Sequence, residues 1–194
     1  MLQPVTAARK YTVDDLLALG EDTRCELIHG EIVERAAANW PHSSTGKAAL
    51  LWSARRFDRR PGVRWPGGWW IAPEIHVLYG VEDTFCHDIA GWRRDRVAEM
   101  SRSLMKTRPD WVCEVLSPTH RARDLVDKLG VLHVAGVPDY WVVDEDERML
   151  MMYQHTSAGY VMQTARSGDV IHARPFDAVE LRVACVFGDE DDEE

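Results

Sequence analysis

The stretch Trp111-Val112-Cys113-Glu114-Val115-Leu116 decides the fold of this 194-residue chain. All of its residues except Glu114 are apolar, and such a short apolar run is typical of a strand buried on both faces of a sheet. Ser117-Pro118-Thr119 ends the strand and begins a helix, predicted from about His120 to Ala135. Tyr140-Trp141-Val142-Val143 then predicts a further strand that ends at Asp144.

Upstream of this stretch, the patterns predict a short helix, a β-hairpin, a longer helix and two strands. They lie, in that order, at Thr12–Gly20, Cys25–Arg35, Ser43–Arg59, Trp69–Tyr79 and Asp88–Trp92. Short β-strands follow over Met149–Val186. The central order is therefore helix, three strands, helix, strand, which predicts an α/β (α+β) single domain with a mixed central sheet flanked by helices.

Composition predicts a soluble cytoplasmic protein. Hydrophobic residues make up 45% of the chain, enough for a core. The sequence contains no run of about 18 apolar residues, so no membrane-spanning helix is predicted. Residues 1–10 lack the apolar run of a secretory signal. The four cysteines, at 25, 86, 113 and 185, follow neither a zinc-ribbon nor a disulfide pattern, so we expect buried thiols.

The formal net charge of −9 is concentrated at the C-terminal end. Residues 189–194 are all Asp or Glu, and we expect a disordered acidic tail there. Residues 1–10 read as an N-terminal extension and residues 11–188 as the single domain. Two stretches, 55–64 and 93–108, are locally basic and could either hold a polyanion or form a solvated surface.

Two carboxylates form the predicted chemical centre. Glu114 interrupts an apolar strand, where an ionised side chain is costly unless it is paired or binds a metal. Asp88 is predicted to begin the preceding strand, and neighbouring strands lie about 4.8 Å apart, so both carboxylates can converge on one cation. Oxygen ligands suit Mg²⁺ or Mn²⁺ rather than zinc. The alternative is that Glu114 pairs with a buried arginine.

Other polar residues could contribute to the same centre. Lys128, on the helix after the Glu114 strand, could stabilise charge on a phosphate, or could form a surface pair with Asp124 four residues earlier. Glu74 and His76, at alternate positions of one strand, could face the same pocket. His42 could approach a phosphate or could cap the longer helix.

Three blocks of the sequence are similar to those of a known family. The first comprises Tyr11-Thr12-Val13-Asp14-Asp15-Leu16 and Glu26-Leu27-Ile28-His29-Gly30-Glu31-Ile32, the second is Pro109 to Thr119, and the third comprises Asp124 to Leu129 and Ala135 to Asp144. These blocks resemble the Uma-two family of putative restriction endonucleases. The resemblance covers most of residues 11–188, and the second and third blocks together are specific.

The resemblance implies a fold and a site. The Uma-two family belongs to the PD-(D/E)xK nuclease superfamily, whose core has the order helix, three strands, helix, strand; here additional β-strands would lie at both ends of this restriction-endonuclease-like core. It implies that Asp88 and Glu114 are metal ligands; in the leading hypothesis the metal is Mg²⁺ or Mn²⁺, and the backbone carbonyl of Val115 is a further ligand. It also implies that Lys128 replaces the strand lysine of related nucleases, since Leu116 stands at the strand position.

Glu26 matches an acidic position of the family, which implies that it orients a ligand or helps to bind the metal; the alternative is a hairpin glutamate paired with an arginine. His87 stands where the family usually has proline. The leading hypothesis is a metal-dependent DNA endonuclease that acts as a homodimer if it cuts both strands. The alternatives are a non-catalytic nucleic-acid- or protein-binding module, and a self-assembling structural protein. Trp69 and Trp70 could stack on bases, or could belong to the core or to an interface.

Overall fold

The fold is described by a computed structural model that covers residues 10–20, 24–117 and 121–189. The predicted N-terminal extension and acidic tail lie outside the described residues, apart from Lys10 and Asp189. Within the described part of the chain, no helix is long and apolar enough to cross a bilayer.

The chain alternates short helices with strands of one large sheet and a small two-stranded sheet. The elements are α1 (Val13–Leu17), β1 (Cys25–Ile28), β2 (Glu31–Glu34), α2 (Trp40–Phe57), β3 (Trp69–Leu78), β4 (Thr84–Arg93), β5 (Trp111–Val115), a π-helical segment (Arg123–Asp127), α3 (Lys128–Val134), β6 (Asp139–Asp144), β7 (Met149–Thr156), β8 (Gly159–Arg166), β9 (Val170–Ile171), β10 (Leu181–Arg182) and a 3₁₀-helix (Val183–Phe187).

The large sheet has the order β2-β1-β4-β5-β6-β7-β8, with β3 also paired to β4. Its strands are antiparallel except for β5 and β6, which are parallel. Parallel neighbours need a crossover connection, and α3 provides it. The predicted order of helix, three strands, helix and strand is therefore confirmed as α2-β3-β4-β5-α3-β6.

Strand β4 organises the sheet because three strands pair with it. β3 follows one edge of β4 along its whole length, from Trp69 opposite Arg93 to Leu78 opposite Thr84. The other edge is shared: β1 pairs at Thr84, and β5 pairs only over residues 89–91. Between these two contacts no strand of the described residues pairs with this edge of β4, and the sheet forks there.

Two apolar layers cover the faces of the sheet. One lies under α2 and the C-terminal segment and contains Trp52, Trp111 and Trp141. Phe176 joins it from the loop before β10, with its ring centroid 4.8 Å from that of Trp111. The second layer lies under α3 and contains Val112, Leu132 and Val142 in its centre.

Several predicted boundaries are wrong in detail. Asp88 lies in the middle of β4 rather than at its start. α2 begins at Trp40, three residues before the predicted start, because the Asn39 side chain accepts the backbone N–H of His42 and caps the helix there. The segment predicted as one α-helix up to Ala135 is π-helical over Arg123–Asp127, and its predicted start at His120 lies outside the described residues.

Trp69 and Trp70 pack against different apolar layers of the sheet. Trp69 is buried in the layer under α2, which favours the core interpretation over base stacking. Trp70 is half-buried, and its indole N–H donates to the carbonyl of Val97 at 2.9 Å. The four cysteines are free. Cys86, Cys113 and Cys185 are buried as predicted, whereas Cys25 is only partly buried, so the prediction is wrong there.

Candidate active site

The candidate site lies at the fork of the sheet. Glu26 on β1, Asp88 on β4 and Glu114 on β5 all line one small pocket there, and all three side chains are buried. The open edge of β4 partly explains why: the backbone N–H of Cys86 has no neighbouring strand on that side and donates to Glu26 Oε1 at 3.0 Å. Asp88 and Glu114 therefore lie on neighbouring strands and line the same pocket, as the sequence predicts.

Asp88 is surrounded by donors. Its Oδ2 accepts the backbone N–H of Val115 at 2.8 Å and lies 3.3 Å from Nε2 of His42, while its Oδ1 accepts a hydrogen bond from Arg35 Nη2 at 3.1 Å. Burial raises the pKa of Asp88, but the hydrogen bond and charge of His42, with Lys128 and the Val115 N–H, outweigh it, so the pKa lies below its usual value. The same contact raises the pKa of His42. Asp88 is therefore held as a carboxylate.

Glu114 belongs to a buried chain of polar groups. Its Oε1 lies 2.6 Å from Nδ1 of His87, whose Nε2 lies 2.7 Å from the hydroxyl of Tyr79. Burial raises the pKa of Glu114 to about 8 in spite of Lys128 nearby, and burial lowers the pKa of His87 to about 3. A neutral imidazole has one donor and one acceptor nitrogen, so a Tyr79 O–H that donates to Nε2 leaves Nδ1–H to orient Glu114.

Lys128 stands at the centre of the acidic residues. Its Nζ lies 3.1 Å from Glu114 Oε1, 3.1 Å from Glu26 Oε1 and 3.5 Å from Asp124 Oδ1. Burial lowers the pKa of Lys128, but these carboxylates outweigh it and keep the ammonium charged. The predicted Asp124–Lys128 pair exists, but both residues are buried, so the surface interpretation of that pair is wrong.

Glu26 lies in the site and is also paired with an arginine, so it combines the two alternatives that the sequence leaves open. It contacts an arginine, with Arg123 Nη1 3.5 Å from its Oε2, and it also contacts Lys128 within the site. Burial raises its pKa, but Lys128 and Arg35 outweigh burial, so the pKa of Glu26 lies below the ordinary value. Glu114, by contrast, is paired with Lys128 and His87 and with no arginine of the described residues.

The sequence patterns do not identify Arg35 as a site residue, and they leave open whether His42 lies in the site or caps α2; the cap is Asn39. Arg35 and His42 both reach Asp88, although 53 residues separate Arg35 from it along the chain. Glu74 lines the site pocket but is paired to Arg35, with Nη1 2.6 Å from its Oε2. His76 does not join the site; it lines a separate cavity of about 560 Å³ together with Leu16 and Arg102. The one signal for Arg35 was its position at the end of a hairpin that carries Glu26.

The donor chemistry of the site fits a hard divalent cation. Five carboxylates meet four Lys or Arg side chains there: Glu26, Glu74, Asp88, Glu114 and Asp124 against Arg24, Arg35, Arg123 and Lys128. Burial raises the pKa of Asp124 to about 7 in spite of Lys128, and the neighbouring carboxylates of Glu114, Asp88 and Glu26 add to the increase. As these side chains stand, no three His, Cys, Asp or Glu residues of the described ranges are arranged to enclose an ion, because the carboxylates are held by the cations.

The sequence pattern of the Uma2 family, described as putative restriction endonuclease, matches residues 13–184. The chain belongs to the Uma2 (Uma-two) family.

A solved structure supports the fold assignment of this Uma2 protein. The crystal structure of a putative nuclease belonging to DUF820 from Anabaena variabilis ATCC 29413 superposes with a TM-score of 0.75. The two chains are 17% identical, and the alignment covers 91% of this chain and 97% of the other. No curated protein matches the chain in sequence. Uma2 membership and the nuclease-like fold together support a nuclease function.

Proposed function

We propose that this Uma2 protein is a metal-dependent DNA endonuclease that hydrolyses phosphodiester bonds at the fork of its sheet. The observation that carries the proposal is that Glu26, Asp88 and Glu114 meet from three strands in one pocket, where the buried ammonium of Lys128 contacts Glu26 and Glu114. Buried charges of both signs are costly to a fold, and structure alone gives no reason to gather them at one opening in the sheet.

In this proposal Asp88 and Glu114 hold Mg²⁺ or Mn²⁺, with the carbonyl of Val115 as a further oxygen ligand. The cation would supply a positive charge against the scissile phosphate and would lower the pKa of a bound water. The fit lies in the donor set: hard oxygen ligands and an excess of negative charge.

The remaining residues position charges and ligands. Lys128 stays protonated, so it serves as an electrostatic partner of the phosphate or of the attacking water and not as a base. It fills the role of the strand lysine from the helix, because Leu116 at the strand position is buried in the apolar layer under α3. Glu26 holds Lys128 in place, and His87 holds Glu114.

DNA is the proposed substrate, and its polyanionic backbone suits the basic segment of the chain. Residues 36–73 contain six Lys or Arg and one acidic residue, whereas the whole chain has a net charge of −9. We further propose a cytoplasmic location, which suits four free cysteines, and a homodimer, because two-fold symmetry matches cleavage of both DNA strands.

Cleavage of supercoiled plasmid tests the proposal. We expect nicked or linear product with Mg²⁺ or Mn²⁺ and none with EDTA, and Asp88→Asn should slow cleavage by about 100-fold or more. Asp144→Asn is the matched control, because Asp144 is a buried carboxylate outside the site that pairs with Arg121; it should retain activity. If the folded protein cuts no DNA with any divalent ion, the non-catalytic binding module becomes the better proposal.

A further inference from the structure

Arg35 bridges two carboxylates at the edge of the candidate site. Its Nη1 lies 2.6 Å from Oε2 of Glu74 and its Nη2 lies 3.1 Å from Oδ1 of Asp88. The side chain of Arg35 is only 15% exposed, and that of Asp88 8%, whereas that of Glu74 is 61% exposed. One guanidinium thus joins a buried carboxylate of the site to a carboxylate at the surface.

The backbone places Glu74 for this contact. Glu74 falls between the paired residues Pro73–Ile89 and Ile75–His87, so it lies opposite Asp88 on the neighbouring strand. It has φ of +47°, a left-handed conformation that is uncommon for a residue other than glycine. β3 is regular on either side, and the irregularity coincides with the position from which a carboxylate faces Arg35 beside Asp88.

We propose that Arg35 occupies the place of the divalent cation at Asp88, and that it withdraws to Glu74 alone when the cation binds. The inference rests on the proposed function, since it assigns the cation to Asp88. A Mg²⁺ ion would lie about 2.1 Å from its carboxylate oxygen. A guanidinium within hydrogen-bonding distance of the same oxygen would be displaced by contact and by like-charge repulsion.

Glu74 makes this exchange favourable because it keeps the displaced guanidinium paired. Without it, Arg35 would leave Asp88 for a half-buried position with no carboxylate partner, which is costly for a charge. Glu74 therefore promotes cation binding without touching the cation. If Glu74 were itself a cation ligand, replacing it would also weaken cation binding. An experiment must therefore separate the two roles.

Mn²⁺ affinity, measured by titration calorimetry without DNA, tests the exchange directly. Arg35→Gln should bind Mn²⁺ at least about tenfold more tightly than the wild type, because it removes a unit charge a few Å from the ion. Arg35→Lys should tighten binding by a smaller factor, since one ammonium cannot hold both carboxylates in bidentate fashion. Arg123→Gln is the matched control: Arg123 lines the same pocket but contacts Glu26 rather than Asp88, so its effect should stay below about threefold.

Glu74→Gln should have the opposite effect and weaken Mn²⁺ binding, and we expect this variant to fold normally because the Glu74 side chain is mostly exposed. The double variant Arg35→Gln/Glu74→Gln separates the two roles of Glu74. If Glu74 acts only through Arg35, the double variant binds Mn²⁺ as tightly as Arg35→Gln; if Glu74 is a ligand, it binds more weakly, and the proposal is overturned.

The outcomes distinguish this inference from the proposed function. If Mn²⁺ binds the wild type and is lost in Asp88→Asn, but Arg35→Gln and Arg35→Lys bind no more tightly, the cation site stands and the exchange at Arg35 is wrong. If neither the wild type nor any variant binds Mn²⁺, the proposed metal dependence fails together with the exchange. Tighter binding in Arg35→Gln with weaker binding in Glu74→Gln supports the exchange.

Discussion

At the scale of single residues, Lys128 shows how the site is stabilised without a metal. Its ammonium is buried and lies within 3.5 Å of Glu26, Glu114 and Asp124. An unpaired buried charge is among the most destabilising features a protein can contain. The lysine is therefore part of the stability of the fold as well as of the proposed chemistry, and both roles can be measured.

Replacing Lys128 with Met should lower the free energy of unfolding by about 3 kcal/mol or more in EDTA, because it leaves buried carboxylates without a cation. Urea denaturation of Lys128→Met beside Lys106→Met, an exposed lysine outside the site, measures the effect; the control should change stability by less than about 0.5 kcal/mol. A loss of less than about 1 kcal/mol in Lys128→Met would mean that the carboxylates take up protons instead of relying on the lysine.

Asp139 gives a pH-dependent prediction away from the site. Burial raises its pKa, although Arg174 lies 3.4 Å from it and Arg93 also opposes the change; Asp177 adds to it. Between its ordinary pKa and the raised value, the folded state holds a proton that the unfolded state has lost. Stability contributed by Asp139 should therefore fall as pH rises through that range, by up to about 1.4 kcal/mol for each pH unit.

Asp139→Asn removes this titration, so the wild type should lose stability relative to the variant between about pH 4 and about pH 7. Urea unfolding of the wild type and of Asp139→Asn at these two pH values, at constant ionic strength, measures the difference in their free energies of unfolding. The prediction is wrong if the wild type gains stability relative to Asp139→Asn as the pH rises, because that sign would require a lowered pKa.

At the scale of secondary structure, the β1–β2 hairpin shows what local sequence specifies well. Ile28 pairs with Glu31, so His29 and Gly30 form a two-residue turn, with φ of +52° and +81°. Two positive φ angles are the mark of a type I′ turn, which favours Asn before Gly. The sequence predicts the turn correctly, but His29 is not the residue that such a turn prefers.

His29→Asn should therefore raise the free energy of unfolding by about 0.5 kcal/mol, and His29→Val should lower it by about 1 kcal/mol or more, since a β-branched residue tolerates positive φ poorly. Thermal unfolding of the three proteins measures both changes. The contact of His29 with Asp83 is exposed and 3.5 Å long, so its loss in both variants contributes little. Equal stability of the Asn and Val variants would contradict the turn assignment.

The elements that local patterns define were predictable, and the arrangement of their partners was not. Apolar periodicity and turn residues identify α2, the central strands and α3, and the interrupted apolar run at Glu114 identifies a carboxylate of the site. The fork of the sheet depends on β1 and β5 sharing one edge of β4, a pairing between segments far apart in the chain. The contacts of Arg35 and His42 with Asp88 depend on that long-range pairing, so no local sequence pattern predicts them.

At the scale of the whole molecule, charge is strongly segregated. Residues 36–73 carry a formal net charge of +5, and the rest of the chain carries −14. The one acidic side chain of this segment, Asp58, is paired with Arg94. Lys47 lies exposed on α2, five residues after His42, and Arg59 lies exposed just after the helix. The second basic stretch is more neutralised, because Arg96 and Arg108 both lie near Asp110.

We therefore expect DNA binding to depend on the basic residues within 36–73, and this is best measured in the Asp88→Asn protein, in which we expect cleavage to be slow. In that background, Lys47→Glu with Arg59→Glu should lower affinity for a duplex of about 20 base pairs by roughly 30-fold at about 0.15 M salt, and should reduce the slope of log affinity against log salt by about 2, as expected for two lost phosphate contacts. Fluorescence anisotropy of a labelled duplex measures both quantities.

Arg102→Glu with Lys106→Glu is the matched control for this measurement. It makes the same change in net charge at two exposed positions of the second basic stretch, so a general effect of charge would weaken binding equally in both double variants. A larger loss in the Lys47/Arg59 variant, with a lower salt slope, places the backbone contacts beside α2, the helix that brings His42 to Asp88. Equal losses, or a larger loss in the control, would instead place the duplex on the face that carries the 560 Å³ cavity lined by Arg102 and Lys106.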